Sequence, residues 1–299
     1  MKSYDVLYIG NYTKDTIVSP AGTRVVDGGA VNYAAHAAAR LGARVAVITR
    51  LAREDEHVVE KLRAAGIDCY PTYTPASTLL KLEYPTRDPD VRTLSVVSVA
   101  GSISPADLDG LEAPAAVIGS SLRGEVGLDV IRDLKDRGMQ VAADMQGFVR
   151  VLHGQELRYK PWEEMESTLA LLDVVKSDAV EAEFLTGQTD LRKAAEFYAR
   201  LGPREIVLTH KDGLLLHADG ELHQMRFYPG RIEGRSGRGD TCLGTYVAMR
   251  LRMPPHEAGL WAAAVTSLKM ESPGPFDRSI QEVRDLIRDK YNPGSKQAS

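Results

Sequence analysis

The feature that most constrains this chain is a repeated alternation of short, almost wholly apolar runs with helical patterns that each end at a glycine. The runs are Val6 to Ile9, Val45 to Thr49, Ala116 to Gly119, Val141 to Asp144, Val174 to Lys176 and Ile206 to Thr209. A strand that lacks polar alternation is buried on both faces, which requires a mainly parallel sheet covered by helices on each side. The intervening segments supply them: Ala30 to Leu41 stops at Gly42, Glu56 to Ala65 at Gly66, Glu125 to Arg137 at Gly138, and Leu191 to Leu201 at Gly202. Glycine suits the left-handed residue that closes a helix. Fewer than eight clear repeats are present, so the pattern predicts a doubly wound α/β sandwich and not an eightfold barrel.

With 299 residues the chain can bury a sizeable core, and 37 Lys+Arg against 41 Asp+Glu leave a formal charge of −4. No basic surplus points to nucleic acid or an anionic membrane, so neither is an expected partner. Cys69 and Cys242 match no metal-ligand spacing and are too few for a disulfide framework, which favours a reducing compartment. The N-terminus carries Asp5 within its first apolar stretch, and no segment approaches a membrane-spanning length. A cytoplasmic location is the expectation. The seven histidines form no metal-binding pattern. Tyr4, Tyr8 and Tyr12 read as packing residues, and Cys242 as a small packed one.

One region breaks the alternation. Between Tyr70 and Val99 lie two extended runs, Thr78 to Tyr84 and Thr93 to Val99, separated by the turn-rich Pro85 to Asp90 and by no helix. Hairpin strands inside an α/β chain suit a small sheet projecting from the main one, either as a lid over a site or as a plain edge hairpin. An exposed edge on such a lid hints at a homodimer.

The chemistry concentrates in Gly234-Arg-Ser-Gly237-Arg238-Gly239-Asp240-Thr241, followed by a helical stretch to Leu251. A glycine-rich loop opening onto a helix N-terminus presents unpaired amides and the positive end of the helix dipole to an anion. The spacing mimics a Walker A loop, but Asp240-Thr241 stands where Lys-Ser/Thr is required, and that charge reversal excludes it. A dinucleotide fingerprint fails too, because the loop lies near the C-terminus and not after the first strand. A carboxylate beside an anion hole is what phosphoryl transfer to an alcohol needs, although Asp240 as a simple helix cap is the plainer reading.

Gly237-Arg-Gly239-Asp240 before a helix resembles the C-terminal signature of the PfkB/ribokinase-type carbohydrate kinases. Other segments agree in order over roughly 270 residues, the bulk of one compact domain. Gly10 followed by Asp15 resembles the first strand and sugar-binding aspartate. Gly28-Gly29-Ala-Val-Asn32 is similar to the Gly-Gly-x-x-x-Asn segment, and Asp178-Ala-Val-Glu181 to the Asn-x-x-Glu motif of the magnesium and phosphate network. Thr209-His-Lys211-Asp-Gly213 resembles the nucleotide-side turn. Asp144-Met-Gln146-Gly-Phe-Val-Arg150 resembles the Asp-x-Gln-Gly-Phe-x-Arg pattern of the inositol-kinase-like branch, while an Asp144–Arg150 salt bridge is the plainer reading of it. Departures are Arg238 for alanine, Asp178 for asparagine, Arg235-Ser236 for Asp-Thr, and a shortened 209–213 turn, which leaves the donor open.

The resemblance implies a ribokinase-like three-layer sandwich over residues 1–291, with lid strands from about 11–28 and 70–100 and a frayed tail at 292–299. It implies ATP-dependent phosphorylation of a sugar or cyclic polyol. Asp240 is then the base, with Gly237, Arg238 and Gly239 at the transferring phosphoryl group. Asp15, Gly28, Gly29, Asn32, Gln146 and Arg150 are expected on the substrate. Asp178, Thr209, Lys211 and Gly213 are expected on ATP, and Glu181 on Mg²⁺ through water. A nucleoside kinase of the same fold and a silent sugar or nucleotide sensor are the alternatives.

Overall fold

A computed structural model describes residues 2–86 and 93–291. Its centre is a nine-stranded sheet in the order Asp68–Thr74, Val45–Ala52, Val6–Ile9, Ala115–Ile118, Gln140–Asp144, Val174–Asp178, Glu205–His210, Gly213–Ala218, Glu221–Arg226. The first seven strands run parallel and the last two fold back as antiparallel hairpins. The chain starts mid-sheet, moves out to Asp68–Thr74, then returns to Ala115–Ile118 beside its first strand. At such a reversal the crevice beyond the strands' carboxyl ends is the natural ligand site. Gly10 and Gly119 close this pair tightly: a Cβ on Gly10 would run into the Gly119 carbonyl.

Successive strand residues face opposite sides of the sheet. Val6 and Tyr8 accordingly pack with Val45 and Val47 in one core, and Leu7 and Ile9 with Ala46 and Ile48 in the other. Helices Ala30–Arg40, His57–Ala64, Arg238–Arg250 and Pro255–Lys269 cover the first face; Leu128–Asp136, Ala179–Thr186 and Leu191–Arg200 cover the second. Burying a Val, Leu or Ile side chain contributes about 1.5–3 kcal/mol, so strands buried on both faces hold the three layers together. Tyr8 is fully buried and donates its hydroxyl to the Gly244 carbonyl at 3.0 Å.

A second, six-stranded sheet has the order Arg150–His153, Glu156–Tyr159, Thr93–Ser98, Thr78–Glu83, Thr13–Ser19, Gly22–Gly28. Leu80, Leu82 and Val96 form its small core. The sheet differs from the sequence expectation in two ways. Tyr70 to Thr74 extend the edge strand of the large sheet, because they follow helix His57–Ala64 and pair in parallel with Val45–Ala52, completing a βαβ unit. The hairpin of Arg150–His153 and Glu156–Tyr159 joins the small sheet, its second strand alternating exposed and half-buried residues over only four positions. The expected turn at Pro85 to Asp90 falls partly, and the tail 292–299 wholly, outside the described residues.

The helix expected from Glu125 begins at Leu128. Glu125 instead turns inward, and its buried carboxylate accepts the amides of Asn11 at 2.5 Å and Ser121 at 3.0 Å, tying together the loops that leave the two central strands. Burial pushes this carboxyl up to about 7 even against those amide bonds.

Helix Arg238–Arg250 is buried from Thr241 to Met249, wedged between Ala30–Arg40 and Pro255–Lys269. Close approach depends on Gly244, where a Cβ would stand 2.6 Å from both the Ala34 Cα and its carbonyl oxygen. Overpacking a tight core costs about 1–3 kcal/mol. Gly244→Ala is therefore expected to lower unfolding stability by about that amount in urea titrations; a midpoint equal to wild type would show that these helices are not in hard contact.

Candidate active site

Gly237 caps helix Arg238–Arg250 in the left-handed region, at φ 74°, and any side chain on it would collide with the ring of Tyr33. Gly239 is crowded in another way, since a Cβ there would meet the Lys176 ammonium and require that side chain to shift. The Arg238 amide donates to the Arg235 carbonyl at 3.3 Å and the Thr241 amide to Gly237 at 2.9 Å. Among the described residues, the amides of Gly239 and Asp240 reach no backbone carbonyl. They lie at the positive end of the helix, a geometry suited to an anion. The sequence expectation assigned such contacts to Gly237, Arg238 and Gly239; of these the Arg238 amide is engaged by the Arg235 carbonyl.

Below the loop lies a buried cluster of charge. Asp144, at the carboxyl end of its strand, accepts Lys176 Nζ at 2.8 Å on one oxygen and the Gln146 amide at 3.1 Å on the other. Burial alone would lower the Lys176 pKa, but Asp144 above all, with Glu181, Asp240 and Asp178, raises it and keeps the ammonium charged. The Asp144–Arg150 pair considered from the sequence is not formed: Asp144 takes Lys176, and Arg150 Nη2 lies 3.5 Å from Glu181 Oε1. Asp178 and Glu181 cap helix Ala179–Thr186 reciprocally, the Glu181 amide donating to Asp178 at 2.9 Å and the Asp178 amide to Glu181 at 3.1 Å. Burial, reinforced by Asp144 and Asp178, pushes the Glu181 carboxyl up to about 7 against Lys176 and Arg150.

Asp240 is pushed up to about 6, first by burial and then by repulsion from Asp144, while Lys176, Arg150 and Lys269 oppose the shift. A carboxylate titrating there is matched to general-base work near neutral pH. Among the described residues, no group of three or more His, Cys, Asp or Glu side chains is arranged to hold a metal ion directly. Glu181 already accepts a backbone amide and faces Arg150, so outer-sphere contact through water fits this carboxylate better than direct ligation.

On the acceptor side, Asp15 lies opposite Val26 in the Thr13–Ser19 and Gly22–Gly28 pair. A Cβ on Gly28 would overlap the Asp15 carboxylate and the Thr13 hydroxyl. Gly29, at φ 97°, starts helix Ala30–Arg40, and the Asn32 amide returns to its carbonyl at 3.1 Å. The fold thus brings Asp15, Gly28, Gly29 and Asn32 together. Tyr12 is buried in the core, in keeping with its reading as a packing residue, while Tyr33 was not singled out from the sequence. The Tyr12 hydroxyl donates to Asp27 at 2.9 Å, beside Gly28. Tyr33 lies in the fields of both Asp15 and Asp240, which add to burial in raising its hydroxyl pKa.

On the donor side, Thr209 is buried in its strand between Asp178 and Leu214, and Gly213 is pressed against the Met225 carbonyl. Lys211 and Asp212 are the exposed residues of a tight turn closed by the His210 and Gly213 pair. Burial lowers the His210 pKa and the Asp212 carboxylate opposes that, while the charges of Arg238 and Lys211 add to the lowering.

The family model for the pfkB family carbohydrate kinases matches residues 7–281. The chain belongs to this family. A cytidine kinase of Thermococcus kodakarensis is 26% identical over 262 residues, 85% of this chain and 91% of its own. A pyrophosphate-dependent kinase in the ribokinase family, complexed with a pyrophosphate analog and myo-inositol, superposes with a TM-score of 0.86 at 34% identity, covering 94% of this chain and 99% of its own. An Arabidopsis thaliana ribokinase complexed with ribose and ATP shares the fold, with a TM-score of 0.78 at 17% identity over 96% of this chain and 99% of its own. The family and its ribokinase fold thus agree with the sequence expectation, and the inositol-kinase-like branch is represented among the structural relatives.

For a pfkB kinase with this geometry, Asp240→Asn is expected to lower kcat by about 10²–10⁴. Wild-type rate should fall as pH drops through about 6, because the base must be ionised. Stability follows the opposite sign. A carboxyl whose pKa is raised by folding favours the folded state only while protonated, so Asp240→Asn should unfold at a higher temperature than wild type near neutral pH, an advantage that vanishes below the ordinary carboxylate range. Matched kinetics and thermal scans across pH check both; a variant with full kcat would remove Asp240 from the catalytic machinery.

Proposed function

We propose that this pfkB kinase phosphorylates a hydroxyl of a cyclic polyol of the inositol type, with inorganic pyrophosphate as donor. The observation that carries the reaction is the Asp240 carboxyl, held near pKa 6 at a helix N-terminus whose Gly239 and Asp240 amides are open. The acceptor O–H gives its proton to Asp240, its oxygen bonds to the terminal phosphorus, and the bridging P–O bond breaks to release phosphate. The open amides and Lys176 stabilise charge on the moving phosphoryl group. When bound, Mg²⁺ held through water by Glu181 neutralises donor oxygens.

Two observations support the donor. The tight His210 to Gly213 turn exposes a cation, Lys211, beside Asp212, and Arg238 adds its positive charge to the field at His210. The 34%-identical relative carries a pyrophosphate analog and myo-inositol. Gln146, mounted beside Asp144, is assigned to the acceptor together with Asp15, Gly28, Gly29 and Asn32. Arg150, directed at Glu181, is assigned to the phosphate side. ATP is the second reading, supported by the ribokinase that binds it; a nucleoside acceptor is supported by the cytidine kinase relative.

A matrix of pyrophosphate and ATP against myo-inositol, ribose and cytidine, followed by ³¹P NMR, decides among these. Turnover is expected with pyrophosphate and myo-inositol. Turnover confined to ATP and cytidine would replace the reading with a nucleoside kinase, and none with any pair would leave the silent sensor. With the accepted pair, Gln146→Ala is expected to raise the acceptor KM roughly tenfold or more while leaving the donor KM unchanged, as loss of a specific hydroxyl contact does. An unchanged acceptor KM would remove Gln146 from the acceptor site.

A further inference from the structure

Among the described residues two lysines are buried, Lys176 and Lys269. Lys176 has Asp144 as its counter-ion at 2.8 Å. Lys269, at 1% exposure the last residue of helix Pro255–Lys269, has no carboxylate within ion-pair distance among the described residues. Its ammonium donates to the Gly234 carbonyl at 3.0 Å and stands 5.3 Å from the centroid of the Tyr33 ring. A carbonyl and an aromatic face offset only part of the loss of hydration that a buried cation suffers.

Those two contacts are the mounts of the anion-binding loop. Gly234 opens the loop; its amide donates to the Met270 carbonyl at 3.1 Å while its carbonyl takes Lys269, and a Cβ there would run into the Ser272 carbonyl. Tyr33 underlies Gly237, the cap of the helix that carries Asp240. We propose that Lys269 is a positioning residue for phosphoryl transfer: it fixes the loop through Gly234 and Tyr33 and supplies beneath it a positive charge completed by a bound anion. The inference rests on the phosphotransferase reading. The titratable groups facing the ammonium are Asp240, from the helix the loop opens, and Tyr33, from helix Ala30–Arg40. Burial draws the ammonium down to about 8, and Asp240 opposes that shift.

The test uses the full chain, Lys269→Met and Lys269→Arg, in two arms. Sulfate, whose charge does not change between about pH 7 and pH 9, is the probe of the first. It should raise the wild-type Tm near pH 7 and much less near pH 9, where Lys269 loses its proton. Lys269→Met should lose most of the shift at both, and Lys269→Arg should keep it at both, because a guanidinium stays charged. A wild-type shift equal at the two pH values, no shift at either, or a full shift in folded Lys269→Met overturns the proposal. Should Lys269→Met not fold, wild type and Lys269→Arg decide it alone.

The second arm is kinetic. Lys269→Met should move the acid limb of kcat/KM to higher pH, because Asp240 loses an opposing charge. It should also raise the donor KM roughly tenfold, the ratio expected when a charged contact is lost, with the acceptor KM unchanged. A merely structural lysine would lower Tm and leave the acid limb in place. If no donor and acceptor pair reacts, the sulfate arm still reads Lys269, so failure of the reaction and failure of this inference give different results.

Discussion

The site depends on one ion pair, Lys176 with Asp144, buried under Gly239 where the helix bearing Asp240 begins. Asp144, Asp178, Glu181 and Asp240 all act on Lys176, and the three buried or raised acids among them repel one another. Without a central cation such a group would stay largely protonated, and no base would exist near neutral pH. Removing one partner of a buried pair leaves its charge uncompensated, which is why a lysine and not a hydrophobic residue is required here. Gly239 belongs to the same arrangement, because a Cβ there would require the ammonium to shift.

The fold delivers these groups through its parallel strands. Asp144 and Asp178 end neighbouring strands, Lys176 lies two residues before Asp178, and Thr209 is the penultimate residue of the next strand along. The reversal of strand order places Gly10 and Gly119 at one side of the same rim, with Glu125 tying the loops beyond them. Side chains from six or more chain segments therefore converge without any long loop. Carboxyl groups raised by burial at Glu125, Glu181 and Asp240 each disfavour the folded state when ionised. The densely packed double core offsets that strain, an arrangement common where catalysis needs groups that folding alone would not select.

Much of this was legible in sequence because it follows from local backbone rules. Continuous apolar runs marked the parallel strands, glycines marked the helix ends, and Gly237-x-Gly239-Asp240 marked a cap needing close approach. What escaped notice depends on tertiary placement. Lys176 read as the polar end of an apolar run, yet a charged residue inside the buried strand Val174–Asp178 was the available signal. Lys269 was not singled out, since a basic residue at a helix C-terminus is ordinary, and only its burial points to another role. Tyr33 gave no sign, since its importance comes from the empty side of a glycine two hundred residues away. The hairpin from Arg150 was missed because its strands are only four residues each, too short for the alternation of Glu156 to Tyr159 to stand out.

The charge count explains the demand such a site makes on its ligands. Four carboxylates, Asp144, Asp178, Glu181 and Asp240, face three cations, Lys176, Arg150 and Lys269. An arriving pyrophosphate adds several negative charges to a cluster already short of positive ones. Its field would raise the Asp240 pKa further and return the base to its inactive, protonated form. Under the proposed reaction, charge must therefore enter with the donor. Arg238 and Lys211 would supply some, and a divalent cation, held through water by Glu181, would supply the rest when bound. Substrate binding and base ionisation are thus one coupled equilibrium, and the acid limb of the rate profile belongs to the whole cluster more than to Asp240 alone.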